Sequence, residues 1–306
     1  MNPTHTANPP LPIWLLGNPV EHSLSPTFQN AGLMHHSLNM HYSARHTETQ
    51  ELPELVAAIR RGEVLGANIT LPHKEAVSSL VDRLSPAALR AGAVNTLVNV
   101  GGSIEGHNTD VIGLRRVLVE EGLRTEPPPV ATILGAGGAT RGVVVALSQI
   151  GTRQIVVVNR SLKRAQRLID SLSDRVDAQL SAMSLQNAFN APKDDLWRQS
   201  AALVHATSLG VGAEEGDASH KDAAEVWQAL PWGQLAQLRF VYDICYARTI
   251  PPFLHVAHAH GFAGHDGLKM LLYQGTEAFT MWTGHRAPEH VMWSALCGAV
   301  GREAGA

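Results

Sequence analysis

Lys74 stands two residues after Pro72 in the stretch NITLPHK (68–74), where the sequence predicts the opening of a helix. A cation is disfavoured at a helix N-terminus, because the backbone dipole already places positive charge there. A nearby anion would reverse the penalty, and Asp110, in GHNTD (106–110), is a candidate for it. An ammonium beside a carboxylate can hold and pass a proton, as general acid-base chemistry requires. EHSLSP (21–26) puts Ser23 and Ser25 in the loop after a predicted strand, where two hydroxyls suit a small carboxylate. Ser25 also reads as the N-cap of a helix with Pro26 at its first position. Asn68 interrupts a strand-like run, where an amide needs partners, and VNTL (94–97) adds Asn95. Each cluster alone reads as capping or as a satisfied polar residue. Four of them at strand ends predict a cleft.

A second constellation lies in GAGGATR (135–141), between the apolar run VATIL (130–134) and the helical run VVVALSQI (143–150). A strand, a glycine turn, a helix and a strand form the layout of a dinucleotide-binding unit, in which backbone amides approach a pyrophosphate at the helix N-terminus. Thr140 stands where the third glycine of that fingerprint belongs, and a tight turn without a ligand is the plainer alternative. The next strand, IVVVN (155–159), ends 24 residues after Gly135, near the position that reads the adenosine ribose. No carboxylate is found there; Asn159, Arg160, Ser161, Lys163 and Arg164 are. A guanidinium and neutral hydrogen-bonders suit the ribose phosphate of NADP rather than the free hydroxyl of NAD. The alternative, cations that merely solvate a helix start, runs against the helix dipole.

These residues need an α/β frame. Strands are expected at 13–17, 66–71, 130–134, 154–158, 201–207 and 239–244, with a hairpin across Gly101-Gly102 and a strongly helical tail from Gly267. EEGLRTEPPP (120–129) breaks the pattern, and a new unit begins at Val130. The expected division is a lead-in over 1–10, a substrate-binding α/β domain with a mostly parallel sheet over 11–113, a Rossmann-type domain over 114–265, and C-terminal helices over 266–306. With 24 Lys+Arg against 27 Asp+Glu in 306 residues, nothing argues for nucleic acid or a membrane surface. No run approaches the length of a membrane span. Two cysteines, Cys245 and Cys297, cannot form a disulfide framework, so a reducing cytoplasm is expected. His255, His258, His260 and His265 complete no familiar metal spacing and are expected on a surface helix.

The motifs GNPVEHSLSP, GANITLPHK, GAVNTL, GHNTD, GAGGATR, NRSLKRA, HATSLG, YDICY and GLKMLLYQGTEAFTMWTG occur in this order between Leu15 and Gly284. On them the chain resembles the shikimate dehydrogenases. The resemblance implies two α/β domains flanking a cleft, with the last helices returning to the first domain. It implies reversible NADP(H)-dependent interconversion of 3-dehydroshikimate and shikimate, on the route to aromatic amino acids; the sequence leaves the oligomeric state open, a homodimer among the options. It gives Ser23 and Ser25 the substrate carboxylate. Asn68, Thr70, Asn95, Asp110, Tyr246 and Gln274 then surround the ring, with Lys74 as the catalytic lysine. Gly135, Ala136, Gly137, Gly138 and Ala139 fall to the cofactor, with Asn159 to Arg164, Thr207, Ile244 and Gly267.

Several positions depart from the family's usual residues. Gln29 and His205 stand where His and Asn are common, Val211 where Met is, and Arg248 and Pro251 where Pro and Thr are. None is Lys74 or Asp110; they bear on the nicotinamide surroundings and on selectivity. The rival readings are a dehydrogenase preferring quinate or an amino analogue, a catalytically silent binding relative, and last a metal-dependent hydrolase using the histidines.

Overall fold

The computed structural model describes residues 9–190, 195–210 and 217–304. The expected lead-in falls almost wholly outside these residues, and so does Val211. The first unit comprises β1 (Leu11–Gly17), α1 (Ser25–His35), β2 (Met40–His46), α2 (Leu52–Arg60), β3 (Gly66–Ile69), β4 (Arg83–Leu84), α3 (Pro86–Ala91), β5 (Thr96–Val100), β6 (Ser103–His107) and α4 (Thr109–Glu120). Its six-stranded sheet has the order β2-β1-β3-β5-β6-β4. Only β5 runs against the rest, pairing antiparallel with β3 and β6. The β5–β6 hairpin turns at Gly101 and Gly102, both at positive φ (61° and 86°), as a two-residue turn between twisted strands requires.

The second unit comprises β7 (Val130–Leu134), α5 (Gly138–Gln149), β8 (Gln154–Asn159), α6 (Leu162–Asp170), β9 (Gln179–Ser184), α7 (Leu185–Asn190), β10 (Ala202–His205), α8 (Ala218–Gln228), β11 (Phe240–Asp243), α9 (Pro252–Ala259) and β12 (Gly264–His265). Its strands are all parallel in the order β12-β11-β10-β7-β8-β9. Every residue of β7 is buried, because helices cover both faces of such a sheet and its strands read as continuous apolar runs. The strand order reverses between β7 and β10, the place where doubly wound sheets bind ligands beyond their carboxyl ends.

Helices α10 (Leu268–Thr283) and α11 (Glu289–Ala299) return to the first unit. Leu272, Phe279, Trp282, Met292 and Leu296 join Ile13, Leu15, Phe28 and Tyr42 in one buried cluster. Trp282 fixes the return by donating its indole N–H to Leu97 O at 2.9 Å. The fold is thus the expected two-domain, Rossmann-type α/β architecture. Among the described residues, no helix is long and apolar enough to cross a membrane.

Two local expectations are corrected. Pro72 opens no α-helix: turns lead to a single 3-10 turn at Ala76–Ser79. The reason lies in the backbone of Lys74, whose carbonyl accepts from Val94 N at 2.7 Å, so that the segment is tied to β5's approach. Ser25 does not cap α1; the cap position is Leu24, with no side-chain hydrogen bond. His255 and His258 are exposed on α9 and His260 just beyond it, as the surface-helix reading expects, whereas His265 lies on β12.

Candidate active site

The turn that leaves β3 carries Lys74 toward the first turn of α4. Asn108 sets that helix start: its side chain accepts from Val111 N at 3.2 Å and donates to Ala93 O at 2.9 Å. Asp110 therefore sits where the helix dipole favours a carboxylate. Lys74 Nζ lies 2.6 Å from Asp110 Oδ2, and the two side chains are only 14% and 11% exposed. The cation has found its anion. In so dry a setting the pair is held together firmly, and the ammonium is a preorganised donor for any oxygen that develops negative charge beside it.

A hydrogen-bonded wall flanks the pair. Asn95, Asn108 and Thr109 are buried. Asn95 Oδ1 accepts from Thr109 N at 2.7 Å, and Thr109 Oγ1 reaches Gln274 Oε1 at 3.4 Å. Gln274 thus arrives from α10 on the returning segment. Asn68 is committed elsewhere: its carbonyl accepts from the Tyr42 hydroxyl at 2.8 Å and its amide donates to Asn95 O and Thr96 Oγ1. Its function in the fold is to bolt β3 to β5. Thr70 is half-buried at the end of β3, its N–H held by Leu16 O at 2.9 Å.

Ser23 and Ser25 face two tyrosines. Ser23 Oγ accepts from Ser25 N at 3.2 Å. The Ser25 hydroxyl, free of capping duty, meets the Tyr42 hydroxyl, which burial pushes far above the ordinary tyrosine range. Tyr246, from the loop after β11, brings its hydroxyl to Ser23 and the backbone of Leu24; burial raises it as well. Both tyrosines thus stay neutral, and their hydroxyls join the two serines in a cluster rich in hydroxyl donors across the two units.

The glycine turn stands against this site. A Cβ placed on Gly138 would lie 3.9 Å from Lys74 Cβ, and one on Gly142 would lie 3.5 Å from Asp110 Cβ. Gly135 has φ +118°, and a Cβ there would come within 2.6 Å of Ala206 O, so no other residue fits. Thr140 occupies the third-glycine position without blocking the turn: its hydroxyl accepts from Gly137 N at 3.1 Å and donates to Gly135 O at 3.2 Å. A Cβ on Gly137 would meet nothing within 4 Å, so the backbone is open to close approach at the start of α5. Arg164 Nε donates to Ala136 O at 3.0 Å, and Ser161 caps α6. Arg160 and Lys163 are exposed and have no hydrogen bond or ion pair among the described residues, and no acidic residue lies in the first turn of α6. An open turn at a helix N-terminus and two unpartnered cations near it fit a dinucleotide carrying an extra phosphate.

Thr207, Ile244 and Gly267 complete the same edge. Gly135 abuts Thr207, and a Cβ on Gly267 would collide with Ile244 O. Sequence reading left out three members of the site: Tyr42, Arg141 and Asp243. Arg141 was within the quoted glycine motif, but nothing in spacing shows that its guanidinium crosses to Glu75 at 3.0 Å. Tyr42 and Asp243 act through partners distant in sequence, His205 among them.

Three comparisons bear on this arrangement. A family model described as the shikimate dehydrogenase substrate binding domain matches residues 15–97, one for shikimate / quinate 5-dehydrogenase matches 128–191, and one for the shikimate 5'-dehydrogenase C-terminal domain matches 267–297. The shikimate dehydrogenase (NADP(+)) of Moorella thermoacetica is 36% identical over 291 residues, covering 95% of this chain and 94% of its own. Among solved structures, shikimate 5-dehydrogenase from Thermus thermophilus, in complex with NADP(H) and shikimate, superimposes with a TM-score of 0.76 at 34% identity, covering 94% of this chain and 99% of that one. Quinate dehydrogenase from Corynebacterium glutamicum, in complex with NAD, has a TM-score of 0.77 at 27% identity, covering 94% and 99%. With a relative 36% identical over 95% of its length, the chain belongs to the shikimate dehydrogenase family.

Proposed function

We propose that the chain catalyses the reversible NADPH-dependent reduction of 3-dehydroshikimate to shikimate, in the route to the aromatic amino acids. The observation that carries this reading is the 2.6 Å Lys74–Asp110 pair lying directly under the glycine turn. The sheet of β1–β6 with α10 and α11 forms the substrate unit, and the sheet of β7–β12 the cofactor unit. Gly135, Ala136, Gly137, Gly138 and Ala139 hold the pyrophosphate. Asn159, Arg160, Ser161, Lys163 and Arg164 hold the ribose phosphate, while Thr207, Ile244 and Gly267 face the nicotinamide. When bound, the cofactor supplies the hydride that reduces the ketone carbon.

The remaining chemistry belongs to the side chains. Negative charge grows on the ketone oxygen, and Lys74 Nζ meets it, first as a cation and then by giving up a proton. In the reverse direction the same nitrogen accepts that proton. Asp110 keeps the ammonium aligned and accepts a hydrogen bond from a neighbouring substrate hydroxyl. Ser23 and Ser25 bind the carboxylate, and Thr70, Asn95, Tyr246 and Gln274 place the ring. Asn68, with both ends of its amide in protein hydrogen bonds, supports the wall behind Asn95 instead of touching substrate. The two free cysteines accord with work in the cytoplasm.

The test is NADPH consumption with 3-dehydroshikimate, repeated with NADH and, in the oxidative direction, with shikimate and quinate. Fast turnover with NADPH and slow turnover with NADH is expected. Comparable rates with NADH, or preference for quinate, would replace this reading with that of a quinate-type enzyme. No turnover with any pair would make the chain a silent relative.

A further inference from the structure

The edge of the cofactor unit contains a buried chain of hydrogen bonds that the proposed chemistry does not use. His205, the last residue of β10, points Nδ1 at Asp243 Oδ1, 2.8 Å away, and Nε2 at Thr207 Oγ1, 2.6 Å away. His205 and Asp243 are each 1% exposed. The imidazole is clasped by Trp227 and Phe253, with ring centroids 4.7 and 5.1 Å away. Asp243 Oδ1 is fixed in turn by Cys245 N at 2.9 Å. Thr207 Oγ1 accepts from Leu209 N at 3.0 Å. Among the described residues, the charged or titratable groups facing His205 are Asp243, on β11, and Cys245, in the loop beyond it. His205, Asp243 and Cys245 place one ligand-type atom each within 4.8 Å of one another. These atoms are engaged in hydrogen bonds with each other and with Thr207, so the cluster reads as a relay and not as a metal site.

Donor and acceptor roles follow from chemistry. A carboxylate only accepts, so Nδ1 carries a hydrogen. In the neutral ring, Nε2 is then an acceptor and the Thr207 hydroxyl must donate to it. In the protonated ring, Nε2 is a donor, Thr207 Oγ1 accepts from it, and the hydroxyl hydrogen is released. An asparagine at 205 would donate its amide N–H to Asp243 where Nδ1 does, would not reach Thr207 as Nε2 does, and could not switch, so the Thr207 hydroxyl hydrogen would stay free.

We propose that His205 is a positioning residue whose protonation state decides whether the Thr207 hydroxyl can donate to the bound nicotinamide cofactor. The inference rests on the placement of Thr207 at the cofactor given above. It assigns a pH-dependent component of cofactor affinity to His205 and Asp243, both outside the Lys74–Asp110 pair.

The experiment titrates NADPH into the full chain, followed by its fluorescence, at a series of pH values over which the fold stays intact. Wild type, His205→Asn, Thr207→Val and Thr207→Ser are compared at each pH, so that titration of the cofactor's own phosphate cancels. Wild type should match His205→Asn at the acid end and bind about three- to tenfold more weakly at the alkaline end, the loss of one hydrogen bond. Thr207→Ser should keep the wild-type profile, and Thr207→Val should lose the acid-side gain. A constant ratio of wild type to His205→Asn, with Thr207→Val weakened at acid pH, overturns the role of His205 alone. Thr207→Val binding as tightly as wild type at acid pH overturns the placement of Thr207 and this inference with it. If asparagine disturbs the packing against Trp227 and Phe253, His205→Gln makes the same comparison.

Discussion

Arg141 Nη2 lies 3.0 Å from Glu75 Oε2, joining the first turns of the glycine-loop helix to the residue beside Lys74. The same guanidinium donates to Ala91 O at 3.3 Å and to Ser171 Oγ at 3.0 Å, and its side chain is 12% exposed. The sheet of β7–β12 is therefore clamped to that of β1–β6 within one residue of Lys74. Glu75 is largely exposed, so the charge pair itself contributes little; the buried donors to Ala91 and Ser171 matter more. Arg141→Ala should lower kcat/KM about tenfold, while Glu75→Gln should change it less than about threefold. Steady-state kinetics with both substrates decides this, and equal effects from the two variants would contradict it.

The Lys74–Asp110 pair makes a sharper claim. Removing the proton donor should cost about a hundred- to ten-thousand-fold in kcat, the range of general acid-base contributions. Lys74→Ala should show this loss with a small change in KM, whereas Ser23→Ala should mostly raise KM for the substrate. Asp110→Asn should affect both, given the proposal that Asp110 aligns the ammonium and receives a substrate hydroxyl. An unchanged kcat in Lys74→Ala would remove the lysine from the chemistry.

Much of this site was legible in the sequence, for identifiable reasons. Gly135 had to be glycine to reach φ +118° beneath Ala206 O, and the apolar, β-branched run VATIL bounded by turn residues reads as a central strand of a covered sheet, which β7 is. Lys74 and Asp110 were linked by an electrostatic argument from helix starts, and the ion pair exists although the helix after Pro72 does not. That helix failed because local propensity was overridden by one tertiary hydrogen bond, Val94 N to Lys74 O. Asn68 was misread in emphasis for the same reason: its partner Tyr42 lies 26 residues away on β2, an edge strand the sequence pattern did not announce. Side-chain pairs of that kind, like His205 with Asp243, have no periodic signal.

Gly135 also supports a stability prediction. Gly135→Ala would force a side chain into positive φ and against the Ala206 carbonyl, so about 1–3 kcal/mol of stability should be lost. NADPH binding should fall together with the melting temperature, because the same turn is the one proposed to present its amides to the cofactor. A variant with wild-type melting and wild-type affinity would mean that the turn relaxes freely.

Acid stability has a separate source. Arg116 on α4 grips Glu289 at the start of α11 with two hydrogen bonds, 2.6 and 2.8 Å, and this holds the carboxyl below its ordinary value of 4.5. A depressed folded-state value stabilises the fold above the unfolded value, and the contribution vanishes as pH falls through the folded one. Both side chains are about two-fifths exposed, so the pair contributes less than about 1 kcal/mol. Glu289→Gln should melt slightly below wild type at neutral pH, and the two curves should converge as pH falls through the lowered folded-state value of Glu289. A difference that persists undiminished in acid would assign the effect to packing.

Arg160 and Lys163, at the start of α6, are exposed and have no hydrogen bond or ion pair among the described residues, and they are the side chains proposed to set cofactor choice. Cations at a helix N-terminus are unfavourable in isolation, so their removal should leave stability unchanged or slightly improved. Their contribution is expected only against the ribose phosphate, where a charge-assisted hydrogen bond is worth about tenfold or more in affinity. Arg160→Ala should therefore raise KM for NADPH by about tenfold and leave that for NADH within about twofold. The double variant with Lys163→Ala should narrow the NADPH preference further, with Arg164 retained because it supports Ala136 O. If KM for NADPH and NADH rise in parallel, the cations serve the dinucleotide as a whole, and discrimination lies elsewhere on the edge of β8.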